Sequence, residues 1–358
     1  MIEEGKNLLE EEQELFEQHR IEVDKGQALL RIDKYLLHKL ANASRTKIQA
    51  AADAGNIQVN GKPIKSSYKV KPLDVITILL PYPPKNFELI PQNIPLNILY
   101  EDDDIMIVNK PAGMVVHPAF GHEDGTLVNA LLYHFTNLPP AQSKVGTDIY
   151  APRPGLVHRI DKNTSGILIV AKNEIALTLL AKKFFDHDLS RKYVALVWGN
   201  VLNDTGTITG NVGRNIRNRK VMDVFTDETQ GKHAVTHYKV LERFGYVTLV
   251  ECTLETGRTH QIRVHMKSIG HRIFNDAEYG GEQILKGIKT ATYKKFIENC
   301  FALCPRQALH AKLLEIEHPA TKKIMKFESD LPDDMQSLLD KWRKYSTHKA
   351  FEEVEPKR

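Results

Sequence analysis

Apolar residues first recur at helical spacing at Ile32, Tyr35, Leu36, Leu37 and Leu40, and again from Ile48 to Ala52. That spacing predicts two short helices. Ser44 precedes the second, where a hydroxyl caps free backbone amides. Gly55 follows it, suited to the left-handed turn that ends a helix. The period then changes to two: Ile57-Gln58-Val59 runs into Asn60-Gly61, a tight-hairpin dipeptide, and 75–80 reads as a closing strand. Beyond the stiff Pro81-Tyr82-Pro83-Pro84-Lys85, strand patterns stand at 105–108, 166–171, 193–197, 236–240 and 246–254. Helical stretches at 127–135, 175–185 and 259–269 lie between them, and 333–345 predicts a last helix before a frayed, charged end. Such mixing predicts an α+β fold with a large sheet. The expected division is an arm over 1–27, a small domain over 28–82, a linker over 83–90, a larger domain over 91–330, and a C-terminal helix and tail over 331–358.

Composition excludes several classes. With 358 residues, 42% apolar and 26% charged, the chain suits a soluble globular protein of two or three domains. Three cysteines make no disulfide framework and fit a reducing cytoplasm. Cys300 and Cys304 have no second ligand pair, so no metal site is expected. The acidic start, Met1-Ile2-Glu3-Glu4-Gly5-Lys6, is not a secretory signal, and no apolar run is long enough to span a membrane.

The net charge of +4 conceals an uneven distribution. Residues 1–27 hold nine acids and three bases, and read as a solvated, partly helical arm or, more simply, as a disordered tail. Residues 28–82 hold nine bases and three acids. Two short helices with exposed bases beside a small sheet offer a positive face to a phosphate backbone, although a solvated lysine-rich surface reads the same way.

Three polar stretches interrupt the apolar runs of the larger domain. Asn109-Lys110-Pro111-Ala112-Gly113 follows a strand and, taken alone, is a turn. His158-Arg159-Ile160-Asp161-Lys162-Asn163-Thr164-Ser165-Gly166 is costly in a core unless satisfied or functional. Arg159 and Lys162 favour an ionised Asp161, a competent nucleophile, while a turn-capping aspartate explains the same residues. Glu255-Thr256-Gly257-Arg258-Thr259-His260-Gln261-Ile262-Arg263-Val264-His265 suggests the first turns of a helix capped by Thr259, an anion site. His260 and His265 are spaced wrongly for zinc and read as polar packing.

Together these motifs resemble the RluA-type family of RNA pseudouridine synthases across nearly all of 28–330. Lys192-Tyr193-x-Ala195-Leu196-Val197-x-Gly199 and Arg306-Gln307-Ala308-Leu309-His310-Ala311 complete the set in the family's order. Arg31-Ile32-Asp33-Lys34-Tyr35-Leu36, Ser44-Arg45-Thr46-Lys47-Ile48-Gln49 and Asn60-Gly61-Lys62 resemble the small RNA-binding domain named after the S-four ribosomal protein. The resemblance implies a mixed, mainly antiparallel sheet and isomerisation of uridine to pseudouridine in RNA, most closely large-subunit ribosomal RNA. No cofactor is implied, and a cytoplasmic monomer is the family expectation. It implies catalytic roles for Asp161, Tyr193 and Arg263. Arg159 is the candidate to fill the space a flipped base vacates, with His158, Thr164 and Ser165 shaping the loop. RNA contacts are expected from Arg31, Ser44, Arg45, Lys47, Lys62 and Arg258, and from the cluster Arg214, Arg217, Arg219 and Lys220. The run Arg272-Ile273-Phe274-Asn275-Asp276 departs from the family pattern and is expected to leave the catalytic positions untouched, while altering at most a substrate-facing loop.

Overall fold

The computed structural model describes residues 16–40, 44–80, 89–118, 122, 124–135, 155–215, 218, 221–227 and 230–354. They divide into a small unit ending at residue 80 and a large one beginning at residue 89. The small unit contains β1 (Phe16–Glu22), β2 (Leu30–Arg31), α1 (Ile32–Lys39), α2 (Arg45–Asp53), β3 (Ile57–Val59), β4 (Lys62–Pro63), β5 (Lys69–Val70) and β6 (Val75–Leu80). Its sheet runs β1-β6-β3-β4, and β2 pairs with β5. Ile32, Leu36, Ile48, Ile57, Val70 and Ile76 form the core. The Ser44 hydroxyl accepts the Lys47 amide at 3.3 Å, capping α2 as expected. Asn60 and Gly61 both take positive φ, 51° and 77°, as their hairpin turn requires.

One element differs from the sequence reading. Phe16–Glu22, expected within a solvated arm, is a strand paired antiparallel with β6. The acid count of 1–27 hid this segment: Val23, just after the strand, is buried in the core with Ile21 packed against it. Residues 1–15 of that arm lie outside the described residues.

The large unit adds β7 (Ile98–Glu101), β8 (Ile105–Lys110), α3 (Leu127–His134), β9 (Ser165–Ala171), α4 (Glu174–Asp186), β10 (Ser190–Trp198), β11 (Thr205–Arg214), β12 (Met222–Phe225), β13 (Lys232–Arg243) and β14 (Val247–Leu254). It continues with α5 (Gln261–Ser268), α6 (Ala291–Leu303), β15 (Leu309–Glu317), β16 (Ile324–Glu328) and α7 (Asp333–Val354). Ten strands make one sheet in the order β12-β11-β13-β14-β10-β15-β9-β8-β7, with β16 also paired to β15. The β15–β9 pair is parallel, and the other pairs described in this sheet are antiparallel. The α+β class and the mainly antiparallel sheet are thus as expected.

Strand alternation on β10 separates two cores. Tyr193, Ala195 and Val197 join Leu127, Leu131, Ile160 and Ile262 on one face. Val194, Leu196 and Trp198 face the other side, against Tyr293 and Ile297 of α6 and Leu338, Leu339 and Trp342 of α7. The last helix therefore closes a core, and it runs to Val354 where a frayed end was expected after 345. Its apolar residues repeat at helical spacing, whereas the charges beyond them suggested solvation. The helix α5 begins at Gln261, two residues after the expected cap; His260 takes the N-cap position with φ 55° and no side-chain cap bond.

Candidate active site

The polar loop before β9 is fixed from several sides. Its own turn closes by the Thr164 amide donating to the Asp161 carbonyl at 3.1 Å. The fully buried Lys110 donates through Nζ to the carbonyls of Pro111 (2.8 Å), Met114 (2.9 Å) and Lys162 (3.0 Å). Burial, reinforced by Arg306 and opposed by Asp161, pulls the Lys110 pKa down to about 7. Three carbonyls nevertheless favour the ammonium form. Arg306 donates to the Asn163 carbonyl at 3.0 Å and pairs with Asp334 at 2.7 Å. Gln307 donates to the Thr164 hydroxyl at 3.4 Å, and the Ser165 hydroxyl lies 2.9 Å from His310 Nδ1. Gly166 explains how the loop enters the sheet: at φ +115° a Cβ would stand 2.2 Å from the Ala311 carbonyl oxygen.

This scaffold places Asp161 opposite α5. Arg263 Nη1 donates to Asp161 Oδ2 at 3.2 Å. The same guanidinium grips Asp276 through Nε and Nη2, both at 2.7 Å, and Nη2 also reaches Glu278. Burial disfavours the Arg263 charge, yet Asp276, Asp161 and Glu278 outweigh it and raise the pKa further. The Tyr279 ring lies beneath, 4.8 Å from the guanidinium carbon.

His260 completes the cluster, with Nε2 3.8 Å from Asp161 Oδ1. The Tyr279 hydroxyl accepts the Met222 amide at 2.9 Å and lies 2.8 Å from His260 Nδ1. The same hydroxyl thus links His260 to the backbone of β12 and holds its ring with Nε2 towards Asp161. Burial lowers the His260 pKa, with Asp161 opposing, so the ring favours its neutral form.

Sequence reasoning missed four members of this cluster. His260 was read as polar packing, and its strained backbone carries no sequence signal. Asp276, fully buried, was quoted only as the end of the 272–276 run and given no role there. Glu278 and Tyr279 belong to no motif quoted from the sequence.

The other expected residues separate by environment. Tyr193 is 8% exposed and packs in the core that includes Ile160 of the Asp161 loop, and its hydroxyl makes no hydrogen bond among the described residues. Burial raises its pKa; Arg191 opposes the shift and Asp161 adds to it, so the phenol stays protonated. His158 accepts the Ile169 amide at 3.1 Å and stacks on Phe184 at 4.5 Å. Burial, then Arg191, pushes its pKa to about 3, so it is a neutral acceptor within the scaffold. Arg159 is exposed and has no hydrogen bond or ion pair among the described residues. Arg31 and Arg45 both bind Asp33, while Lys47 and Lys62 are exposed. Arg214 is exposed at the end of β11, and Arg258 Nε donates to the His233 carbonyl at 3.1 Å. Arg217, Arg219 and Lys220 lie outside the described residues.

Comparisons with known proteins agree with this architecture. A family model described as RNA pseudouridylate synthase matches residues 104–268, and an S4 domain model matches 30–76. An uncharacterized RNA pseudouridine synthase of Chlorobaculum parvum is 46% identical over 328 residues, 91% of this chain and 98% of that protein. Ribosomal large subunit pseudouridine synthase D of Pseudomonas aeruginosa is 40% identical over 314 residues, 86% of this chain and 91% of its own length. The solved structure of human RNA pseudouridylate synthase domain containing 4 shares the fold, with a TM-score of 0.52 at 22% identity over 69% of this chain and 93% of that one. Near-complete coverage at this identity places the chain in the RNA pseudouridine synthase family, as an isomerase acting on RNA and carrying an S4 domain.

Proposed function

We propose that this enzyme isomerises specific uridines of large-subunit ribosomal RNA, with Asp161 as its catalytic carboxylate. Two supports differ in kind. Relatives at about 40% identity are named for the large ribosomal subunit. The observation that carries the catalytic assignment is the 3.2 Å pair between Asp161 and the buried Arg263, which keeps one carboxylate oxygen occupied and the side chain 21% exposed.

In the reaction, the bond from ribose C1′ to uracil N1 breaks, the base turns, and C1′ bonds to C5. The proton leaves C5 and N1 gains one, so atoms and electrons balance within the nucleotide. A stacked uridine must first leave its helix, at a cost of a few kcal/mol. Arg159, exposed beside Asp161, fills the vacated stack. Tyr193 offers its ring to the flipped base and a protonated hydroxyl to its edge. Asp161 then acts at the glycosidic bond while Arg263 fixes its orientation. The small unit holds neighbouring RNA through Arg31, Arg45, Lys47 and Lys62, with Ser44 setting the start of α2.

Mapping pseudouridine in large-subunit RNA from cells lacking the gene tests the substrate. One or a few sites should vanish, and purified protein should restore them on that RNA. Unchanged maps would refute the substrate assignment. Full restoration by Asp161→Asn would refute the catalytic one.

A further inference from the structure

Arg191 is a buried cation with no anionic partner among the described residues. It is 8% exposed, and its guanidinium makes no hydrogen bond or ion pair among the described residues. Nε is wholly enclosed without an acceptor. The guanidinium carbon lies 5.4 Å from the Phe184 ring, and stacking on an aromatic face offsets only part of lost hydration. Burial works against the charge, yet an arginine does not deprotonate near neutral pH. Buried charges are ordinarily paired, and among the described residues this one is not.

Its position gives the vacancy a direction. Arg191 stands two residues before Tyr193 on β10, opposite Leu314 of β15, and its charge acts on the buried Tyr193 hydroxyl. Phe184 also stacks on His158 of the Asp161 loop. On the remaining side is Gly257, where a Cβ would stand 2.7 Å from Arg191 Nη1. A larger residue there would push the end of the Arg191 side chain aside. Arg258 follows directly, and the exposed His187 ring is held towards its neutral form by burial and then by Arg191 and Arg258. The nearby acids are engaged elsewhere: Asp186 pairs with Lys182, and Glu255 with His237 at 2.6 Å.

We propose that Arg191 binds a backbone phosphate of the RNA substrate next to the target uridine, with Arg258 flanking the same site. The proposal rests on the reading that Asp161 and Tyr193 receive that uridine. A phosphate there supplies the missing counter-charge and sets the strand's register, so that the base enters beside Tyr193.

The test uses full-length enzyme and a short RNA hairpin carrying a mapped target uridine. Arg191→Met should lower kcat/KM roughly 10-fold, chiefly through KM, as expected for a lost charged hydrogen bond. The slope of log(kcat/KM) against log(salt) should become shallower by about 0.7–0.9, the release of one counterion. Arg191→Lys should recover the slope, and serves if the methionine variant fails to fold. Replacing single phosphates by methylphosphonate should reveal one position that costs the wild type a similar factor and costs Arg191→Met nothing more. An unchanged salt slope, or losses that multiply at every phosphate around the uridine, overturns the proposal and leaves Arg191 a packing role. If no uridine of large-subunit RNA is isomerised by the wild type, the substrate reading fails instead, and the two salt slopes are then compared by equilibrium binding to an unmodified RNA hairpin, where equal slopes overturn the proposal.

Discussion

Two charged clusters, one in each unit, are built with opposite polarity. In the small unit a wholly buried carboxylate, Asp33, holds two arginines: Arg31 by bonds of 3.1 Å and Arg45 at 3.0 Å, with Gln49 at 3.0 Å. Both arginine side chains remain 40% or more exposed. In the large unit a buried arginine, Arg263, holds three carboxylates, of which Asp276 is buried while Asp161 and Glu278 reach outward. Leaving a buried charge unpaired costs several kcal/mol. The exposed members therefore cannot swing away freely, and their direction is set from below. The same device aims cations outward in the small unit and carboxylates outward in the large one, the directions that the proposed phosphate grip and the proposed catalysis require.

Removing the outward carboxylate should produce the largest effect. Asp161→Asn should reduce pseudouridine formation by roughly 10,000-fold or more, at the upper end for lost acid–base or nucleophilic chemistry. Arg263 keeps Asp276 and Glu278 as partners, so the melting temperature should hardly move. Single-turnover assays beside thermal melts check this. Activity within 10-fold of wild type would show that the cluster does not serve catalysis through Asp161.

Removing the buried member should invert that pattern. Arg263→Met leaves Asp276 buried without its bidentate partner, and should cost about 3–5 kcal/mol of stability as well as most activity. Denaturant unfolding decides: a loss below about 1 kcal/mol would mean that Arg263 does not organise the three acids.

How much of this was legible beforehand follows from range. The helices α3 and α4 and the strand β9 lie within two residues of their expected bounds, because each is written in a local period. The Asp161–Arg263 pair spans 102 residues, and only the family resemblance linked them. No local pattern gives His260 a left-handed backbone, and Thr259 looks a better helix cap than the residue that takes the position. Arg191 escaped for a related reason. The strand was read from Tyr193, whereas β10 begins at Ser190, so Arg191 lay outside the reading. Asp33 was visible as part of a motif, but its burial beneath two arginines 2 and 12 residues away depends on how α1 and α2 pack.

The small unit's cluster makes a pH-dependent contribution whose sign is fixed. Burial would raise the Asp33 pKa, but hydrogen bonds from Arg31, Arg45 and Gln49 outweigh it and hold the pKa well below its ordinary 3.8. A depressed folded pKa contributes stability that is present above the unfolded value and is lost as pH falls through the folded one. Asp33→Asn should therefore destabilise α1 and α2 by about 1–3 kcal/mol at pH 7, with the gap narrowing below pH 3.8. Amide hydrogen exchange of the full-length protein across pH 3–7 measures it. A gap that widens in acid would contradict the cluster's design.

The smallest expected effects separate aim from charge. Arg45→Ala and Lys47→Ala each remove one cation from the exposed side of α2, and each should flatten the salt dependence of RNA binding by about 0.7–0.9. Only Arg45 also touches Asp33, so only Arg45→Ala should lower stability, by less than about 1 kcal/mol because Arg31 and Gln49 remain and the arginine is half-exposed. Asp33→Asn should show the converse: both arginines persist, so the salt slope stays near wild type while affinity falls several-fold through lost orientation. Binding titrations at four or five salt concentrations resolve the three variants. If Asp33→Asn instead steepens the slope and tightens binding, the buried carboxylate acts by masking the arginines, and the likeness to the Arg263 cluster fails on the RNA-binding side.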